Sequence, residues 1–413
     1  MSQLKKALII GSGPTGLAAA LLLKQNNHIT PVVYEACIEP TTIGGAIGIP
    51  ANGLRLFKLL GVYDDLMARG SSGTNIVLHS VGGSVLGQLD MVSWSKKKTG
   101  FGQLEIRRVD LMEVLCGAAK RAGIEVHYNQ TLVGINERDQ QVEASFSDGT
   151  TDTADFLLGC DGISSSVRKL YVDPKIQPEY SGITDIYSLV PTSDRPTPEG
   201  LLRDTHATFT TDGLFALMCC TESRDVNYWF FSSDFPASVL SGEGSGIAYD
   251  PKPIIRNAAN KIKGEWGDVL RDFVDKSKAL KLHPIMTLPL GGVWYKGRCL
   301  LLGDAAHAMS PHAGQGVSMA LEDVFFLSRL LGQSSLQLND IFKRYDEKRR
   351  PRTEEIYKTA KRSGARRKKT GPWHLWFSDL VMMAFLAIYH VLNLQKFGFG
   401  GKTIIYNIIE ESI

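Results

Sequence analysis

Residues 11–16 read Gly-Ser-Gly-Pro-Thr-Gly, set between an apolar run at 5–10 and an Ala- and Leu-rich stretch at 17–23. A strand that turns on glycines into a helix is the most restrictive pattern in the chain. Gly11 and Gly13 let the backbone turn tightly and approach a ligand, and Gly16 lets helix and strand pack closely. The helix N-terminus adds partial positive charge where a pyrophosphate would sit. Residues 31–35, Pro-Val-Val-Tyr-Glu, read as a second strand ending in an acid, 24 positions after Gly11. The result is a β-α-β unit of the length that dinucleotide sites use. In it, Glu35 would accept hydrogen bonds from ribose hydroxyls and repel a 2′-phosphate. This pattern by itself admits NAD or FAD.

Alternating patterns continue to a helix at 110–121 and short strands at 125–128, 131–136, 142–146 and 156–158. From 176 to 290 the texture changes to longer β-type runs such as Thr-Asp-Ile-Tyr-Ser-Leu-Val-Pro and Val-Asn-Tyr-Trp-Phe-Phe-Ser-Ser, punctuated by Pro and Gly. That region reads as a mostly β insert. A strand at 298–302 and a helix at 315–331 then resume the first architecture, and further helices run from about 339.

Two later segments carry chemistry. Residues 158–168, Leu-Gly-Cys-Asp-Gly-Ile-Ser-Ser-Ser-Val-Arg, form a strand end, an Asp-Gly turn and a helix start. Residues 298–316 hold a strand, Gly303-Asp304 at its end, and the glycine-rich approach Pro311-His312-Ala313-Gly314-Gln315-Gly316 to a helix.

In this order, with the first glycine turn, these segments resemble the GxGxxG, DG and GD motifs of the class A flavin-dependent aromatic hydroxylases, the para-hydroxybenzoate hydroxylase-like monooxygenases. The resemblance spans roughly residues 4–352, and Pro50-Ala51-Asn52-Gly53 and Arg108 add to it. It implies an α/β fold: a Rossmann-like FAD-binding domain at 1–175 and 291–335, a β-rich substrate-binding domain at 176–290, and a C-terminal helical region at 336–413. It also implies that Gly11, Gly13 and Gly16 hold the FAD pyrophosphate and that Glu35 holds the adenosine ribose. Arg108 would reach the phosphates with its fixed fork of donors. Asp161 would serve FAD and a transient NAD(P)H contact, and Asp304 the ribityl or pyrophosphate part. Pro311, Gly314, Gln315 and Gly316 would lie beside the isoalloxazine, with Pro14, Thr15, Ala36, Gly48 and Gly303 completing the cofactor set. Arg168 reads as structural.

The activity implied is oxygen insertion. NAD(P)H reduces FAD, and a C4a-hydroperoxide formed with O₂ hydroxylates or epoxidises a hydrophobic or aromatic small molecule, such as a secondary metabolite. Flavin-dependent desaturation or reduction without oxygen insertion is the alternative within enzymes, and FAD binding without turnover the alternative outside them. Within the insert, Phe209, Phe215, Leu217, Met218, Tyr228, Trp229 and Phe230 could line a water-excluding lid or simply fill a sheet core. A phenolic substrate would want a base, for which His206 and Tyr228 are candidates, with Arg203 as an anion partner.

A second GxGxxG in strand-to-helix context and a CxxC are both missing, and His307 and His312 have no third partner at metal-ligand spacing. No metal and no nucleic-acid partner are expected. The six cysteines read as reduced thiols, so the expected location is cytoplasmic. The near-neutral net charge of +3 hides an asymmetry, since residues 343–369 carry thirteen Lys and Arg against four Asp and Glu. An apolar run at 373–394 follows directly. Its interior Asp379 argues against spanning a bilayer. Two readings stay open: a helix packed on the body or a partner, or an interfacial helix in peripheral contact with anionic headgroups. The oligomeric state has no sequence signal.

Overall fold

The computed structural model describes residues 4–40, 44–73, 75–90, 92–138, 140–194, 203–235, 250–398 and 401–413. Its first layer is a six-stranded sheet in the order Tyr295–Lys296, Cys299–Leu301, Phe156–Gly159, Lys6–Ile10, Thr30–Tyr34, Glu125–His127. All pairings except the outermost hairpin at Tyr295–Lys296 are parallel. Ala7, Leu8 and Ile9 are wholly buried, as a parallel strand covered on both faces requires. The helix Pro14–Asn26 crosses from the central strand to its neighbour, with Pro14 in its first turn. The partners of the central strand lie on opposite sides of it, so a crevice opens at the strand's carboxyl end, where the glycine turn sits. A meander of Leu132–Arg138, Gln141–Phe146 and Thr151–Ala154 forms a separate three-stranded sheet.

The second layer is a seven-stranded sheet ordered Lys281–Thr287, Glu179–Pro191, Val226–Ser233, Leu214–Cys219, Thr205–Phe209, Asn75–His79, Val85–Asp90. Its last two strands come from outside the expected 176–290 boundary, so the seven-stranded sheet borrows a hairpin from the first segment. The insert is also less purely β than its texture implied. Helices Lys252–Asn260 and Gly264–Lys276 bury Ile255, Ala258, Ala259, Trp266, Val269, Leu270 and Phe273 against the sheet. Those positions have helical, not alternating, spacing.

Alternation within the strands divides the aromatic residues. Phe215, Leu217, Trp229 and Phe231 join the helix-backed core. The intervening Met218, Tyr228 and Phe230 point to the opposite face, toward the first domain. Of the seven aromatic and apolar candidates, Phe215, Leu217 and Trp229 are therefore sheet core, Met218, Tyr228 and Phe230 lie on the opposite face, and Phe209 packs beside Leu78, Ala207 and Leu386.

Beyond the sheets, the helix Leu338–Ala365 packs on Gly316–Leu331 and buries Tyr345 and Arg349 completely. The helix Pro372–Val391 lies along the strand Val85–Asp90.

Candidate functional site

The glycine turn has the stereochemistry that its motif requires. Gly11 has φ of +101°, and a Cβ there would stand 2.5 Å from the Cys160 carbonyl oxygen; at Gly16 it would stand 1.9 Å from that of Gly11. Gly13 and Gly316 instead face open space. A groove of about 250 Å³ lies over the turn, lined by Ser12, Gly13, Pro14, Glu35, Arg108 and Val317 among others. Glu35 accepts from the Ser12 N–H at 2.8 Å, the Ser12 hydroxyl at 2.9 Å and the Cys37 N–H at 3.0 Å. Burial works to raise its pKa, but these donors prevail and hold it below the usual carboxylate value. Arg108 makes no ion pair among the described residues, and its stem crosses Gly44, whose φ is +129°. Gly48 is backed by the buried Glu105 carboxylate, which a Cβ would meet at 2.9 Å, so its small size serves packing.

Asp161 accepts from the backbone of Ser166 at 2.6 Å and of Val167 at 3.2 Å, which caps the following helix start. Its other oxygen, Oδ1, is buried without a partner, and burial raises the carboxyl's pKa against those donors. Arg168 is buried and donates to the carbonyl oxygens of Ala305, at 2.8 Å, and Ile163, tying the 158–168 segment to the one at 298–316. Asp304 is accessible from the crevice, yet the protein crowding it raises its pKa against the pull of His307 and Arg108.

A network behind this crevice had no motif to announce it. Asn52 Nδ2 donates to Gln315 Oε1 and to Glu322 Oε1, both at 2.9 Å. Arg349 donates to Glu322 at 2.8 Å and to Asp323 at 2.7 Å. Asp323 in turn meets His307 Nε2 at 2.6 Å and the Gly303 N–H at 2.9 Å. Burial would raise the Asp323 pKa, but His307 and Arg349 pull it down to about 2. The segments at Asn52, 303–307 and Gln315 thus hang on one buried ionic cluster. The visible sign was Glu322-Asp323 inside an otherwise apolar helix.

Across from the 311–316 loop, the seven-stranded sheet presents Asp185, Tyr187, Tyr228, Phe230, Ser232 and His283 on one face, with Asp185 directly opposite His283 and Ser232. Arg367 reaches this face from the basic tail, donating to Ser232 Oγ at 2.9 Å; Ser232 bonds Asp185. Burial raises the Asp185 pKa, opposed by Arg367, and burial raises that of Tyr228. His312 packs at Gly364, where a Cβ would stand 2.7 Å from Nδ1. Among the described residues neither of its ring nitrogens has a partner, and burial, then Arg367, drive its pKa down to about 3. Tyr228 lies against Gly45, where a Cβ would meet the ring at 2.1 Å.

Of the three proposed catalytic residues, Tyr228 joins this cluster. His206 does not: it lies on the helix-backed face, 2.9 Å from His79 Nε2 and beside Trp266, because strand alternation turns it away. Arg203 is exposed ahead of the same strand. Sequence reasoning missed His283, His312, Asp185 and Arg367. Gly364, against which His312 packs, and Gly45, against which Tyr228 packs, were the local hints of a close approach.

The crevice fits FAD. Open glycines sit at helix N-termini and, among the described residues, Arg108 makes no ion pair and Asp161 Oδ1, Gln315 Nε2 and Ser318 Oγ are buried without partners. Residues 5–360 match the family model described as FAD binding domain. The chain is 26% identical over 371 residues to a 6-hydroxynicotinate 3-monooxygenase of Pseudomonas fluorescens, covering 86% of this chain and 90% of the relative. It is 29% identical over 330 residues to an FAD-dependent urate hydroxylase of Mycolicibacterium vanbaalenii, covering 78% of each. The crystal structure of Klebsiella pneumoniae HpxO complexed with FAD and uric acid superposes with a TM-score of 0.80 at 23% identity, over 97% of both chains.

Proposed function

This chain belongs to the FAD-binding domain family, among the class A flavoprotein monooxygenases that hydroxylate aromatic compounds, and on that premise we propose that it hydroxylates an aromatic ring bearing an acidic oxygen. The supporting observation is the cluster of Tyr228, Asp185, His283, Arg367 and His312 across from the 311–316 loop. Bound FAD supplies the redox chemistry, taking electrons from NAD(P)H and activating O₂. In the crevice, Gly11, Gly13 and Gly16 would hold the pyrophosphate, Glu35 the ribose, and Arg108 the phosphates.

The chain's own groups would then orient the ring. Arg367, cationic and partly balanced by Asp185, gives a donor fork for a phenolate, enolate or carboxylate. His312, kept neutral by burial, holds one ring N–H and one free acceptor nitrogen, either of which can bond a substrate hydroxyl. Tyr228 stays a protonated phenol and can donate from Oη. Phe230 and Met218 on the same face keep water from the ring. The substrates named for the two relatives, a hydroxynicotinate and urate, are heteroaromatics with acidic oxygens, which supports this choice.

The same proposal has the enzyme working in the cytoplasm, with peripheral membrane contact through its C-terminal region. The activity is tested by turnover of hydroxylated heteroaromatic acids under ¹⁸O₂. One labelled atom in the product is expected. Substrate-stimulated NAD(P)H oxidation that yields only unlabelled, desaturated or reduced product would overturn it.

A further inference from the structure

The helix Pro372–Val391 is apolar around its whole circumference, but its two sides meet different surroundings. The inner side is fastened to the body over its second half. Leu386 fills the space over Gly87, Tyr389 donates to the Asp90 carbonyl at 3.4 Å, and His390 Nε2 lies 2.9 Å from the Gln88 carbonyl. Met382 and Phe385 pack on Leu78, Ala207, Leu214 and Ala216 of the seven-stranded sheet. A helix held sideways like this does not cross a bilayer, although it is long and apolar enough to do so.

The outer side is bare. Trp373 is 83% exposed, Trp376 60%, Phe377 59%, Ile388 53% and Val391 78%. At about 100° per residue, these positions and Leu380 share one half of the helix circumference, about 30 Å long. Charge brackets this strip at both ends. Arg366, Lys368 and Lys369 are exposed just before it. Beyond its far end, the turn Leu394–Phe397 contacts the helix Ser93–Thr99, which bears the exposed Lys96, Lys97 and Lys98. From 356 to 409 the chain has nine Lys and Arg and a single acid, Asp379, which lines a groove between this helix and residues 80–82 that Trp376 and Leu380 also edge.

We infer that this strip, with its two flanking basic patches, is the face by which the enzyme lies on an anionic lipid bilayer, its helix parallel to the surface and its tryptophans at headgroup depth; this rests on the peripheral contact proposed above and names its residues, orientation and lipid charge. An apolar strip immersed in the interface with lysines and arginines level with the headgroups is the arrangement that such a surface stabilises. A second copy is the poorer occupant. A two-fold contact would bring basic ends of one strip against basic ends of the other, and like charges would oppose it.

The test is flotation of the FAD-loaded full chain with vesicles of phosphatidylcholine alone or mixed with phosphatidylglycerol. Binding to the mixed vesicles is expected, weakening with salt. Trp373→Glu with Phe377→Glu should abolish it. Lys96→Gln, Lys97→Gln and Lys98→Gln together should weaken it about a hundredfold at low salt, the order expected for three lysines at an anionic surface. Both variants should keep FAD absorbance and NAD(P)H oxidation in solution. Absence of flotation with either vesicle, or a dimer in light scattering that the glutamate variant makes monomeric, overturns the inference. The ¹⁸O₂ result is independent of both, so failure here leaves the oxygenase reading intact, and the converse holds.

Discussion

The crevice and the polar cluster are built by opposite means. The crevice is mainly backbone: glycines at 11 and 16 whose side-chain space is filled by neighbouring carbonyls, and a carboxylate held by nearby N–H groups. The cluster is all side chains, drawn from residues 185, 228, 283, 312 and 367, which only the fold brings together. Backbone sites tolerate almost no change in residue type, because the polypeptide itself must move. Side-chain sites can be altered one group at a time without losing the fold, and that freedom suits the part of an enzyme that chooses its substrate.

The contrast is broken most severely at Gly16. Valine there would place a methine carbon within 2 Å of the Gly11 carbonyl oxygen, which cannot withdraw. Gly16→Val should cost about 4 kcal/mol or more and yield protein without FAD, read by flavin absorbance and thermal melting. Next comes Arg349→Leu, which strands Glu322 and Asp323 in the interior. A loss of about 3–5 kcal/mol is expected, with weaker FAD binding because Gly303 and Gln315 lose their anchor. Unchanged melting would mean that the network is not what holds those loops.

Arg367→Gln should behave oppositely. Melting and FAD affinity should stay near wild type while KM for an acidic aromatic rises, a loss of about 1.5–3 kcal/mol in kcat/KM. A variant that fails to bind FAD would merge the two regions that this comparison separates.

The smallest effect concerns acid. Burial, then the neighbouring His206, lower the His79 pKa to about 4 from an unfolded value of 6.5. Between those values the unfolded chain binds the extra proton, so stability should fall as pH drops from 6.5 toward 4. With a discount for the part of the ring that solvent reaches, about 1–2 kcal/mol is at stake. His79→Phe with His206→Phe should flatten the melting temperature over that range without moving the pH profile of kcat, since both rings lie on the face away from the cluster.

Pairing geometry explains which residues were legible beforehand. Glu35, Asp161 and Asp304 were readable because each ends or follows a strand beside a glycine turn, and local order in the chain is local order in space. His206 was misjudged for the complementary reason. In a strand of alternating faces a shift of one position reverses a side chain's surroundings, and a run such as 205–209 does not say which face is backed by helices. Arg367 looked like part of a solvated basic tail, yet the helix before it returns to the body and delivers it to the sheet.

The amino-acid sequence by itself determined the β-α-β unit, its cofactor and the order of the three flavin segments, because each depends on contacts between near neighbours along the chain. Tertiary structure alone decided the buried Asn52–Glu322–Arg349–Asp323 network, the make-up of the polar cluster on the seven-stranded sheet and the bare outer side of the last helix. These rest on contacts between residues 26 to 302 positions apart, and no short stretch of sequence encodes which surfaces will meet.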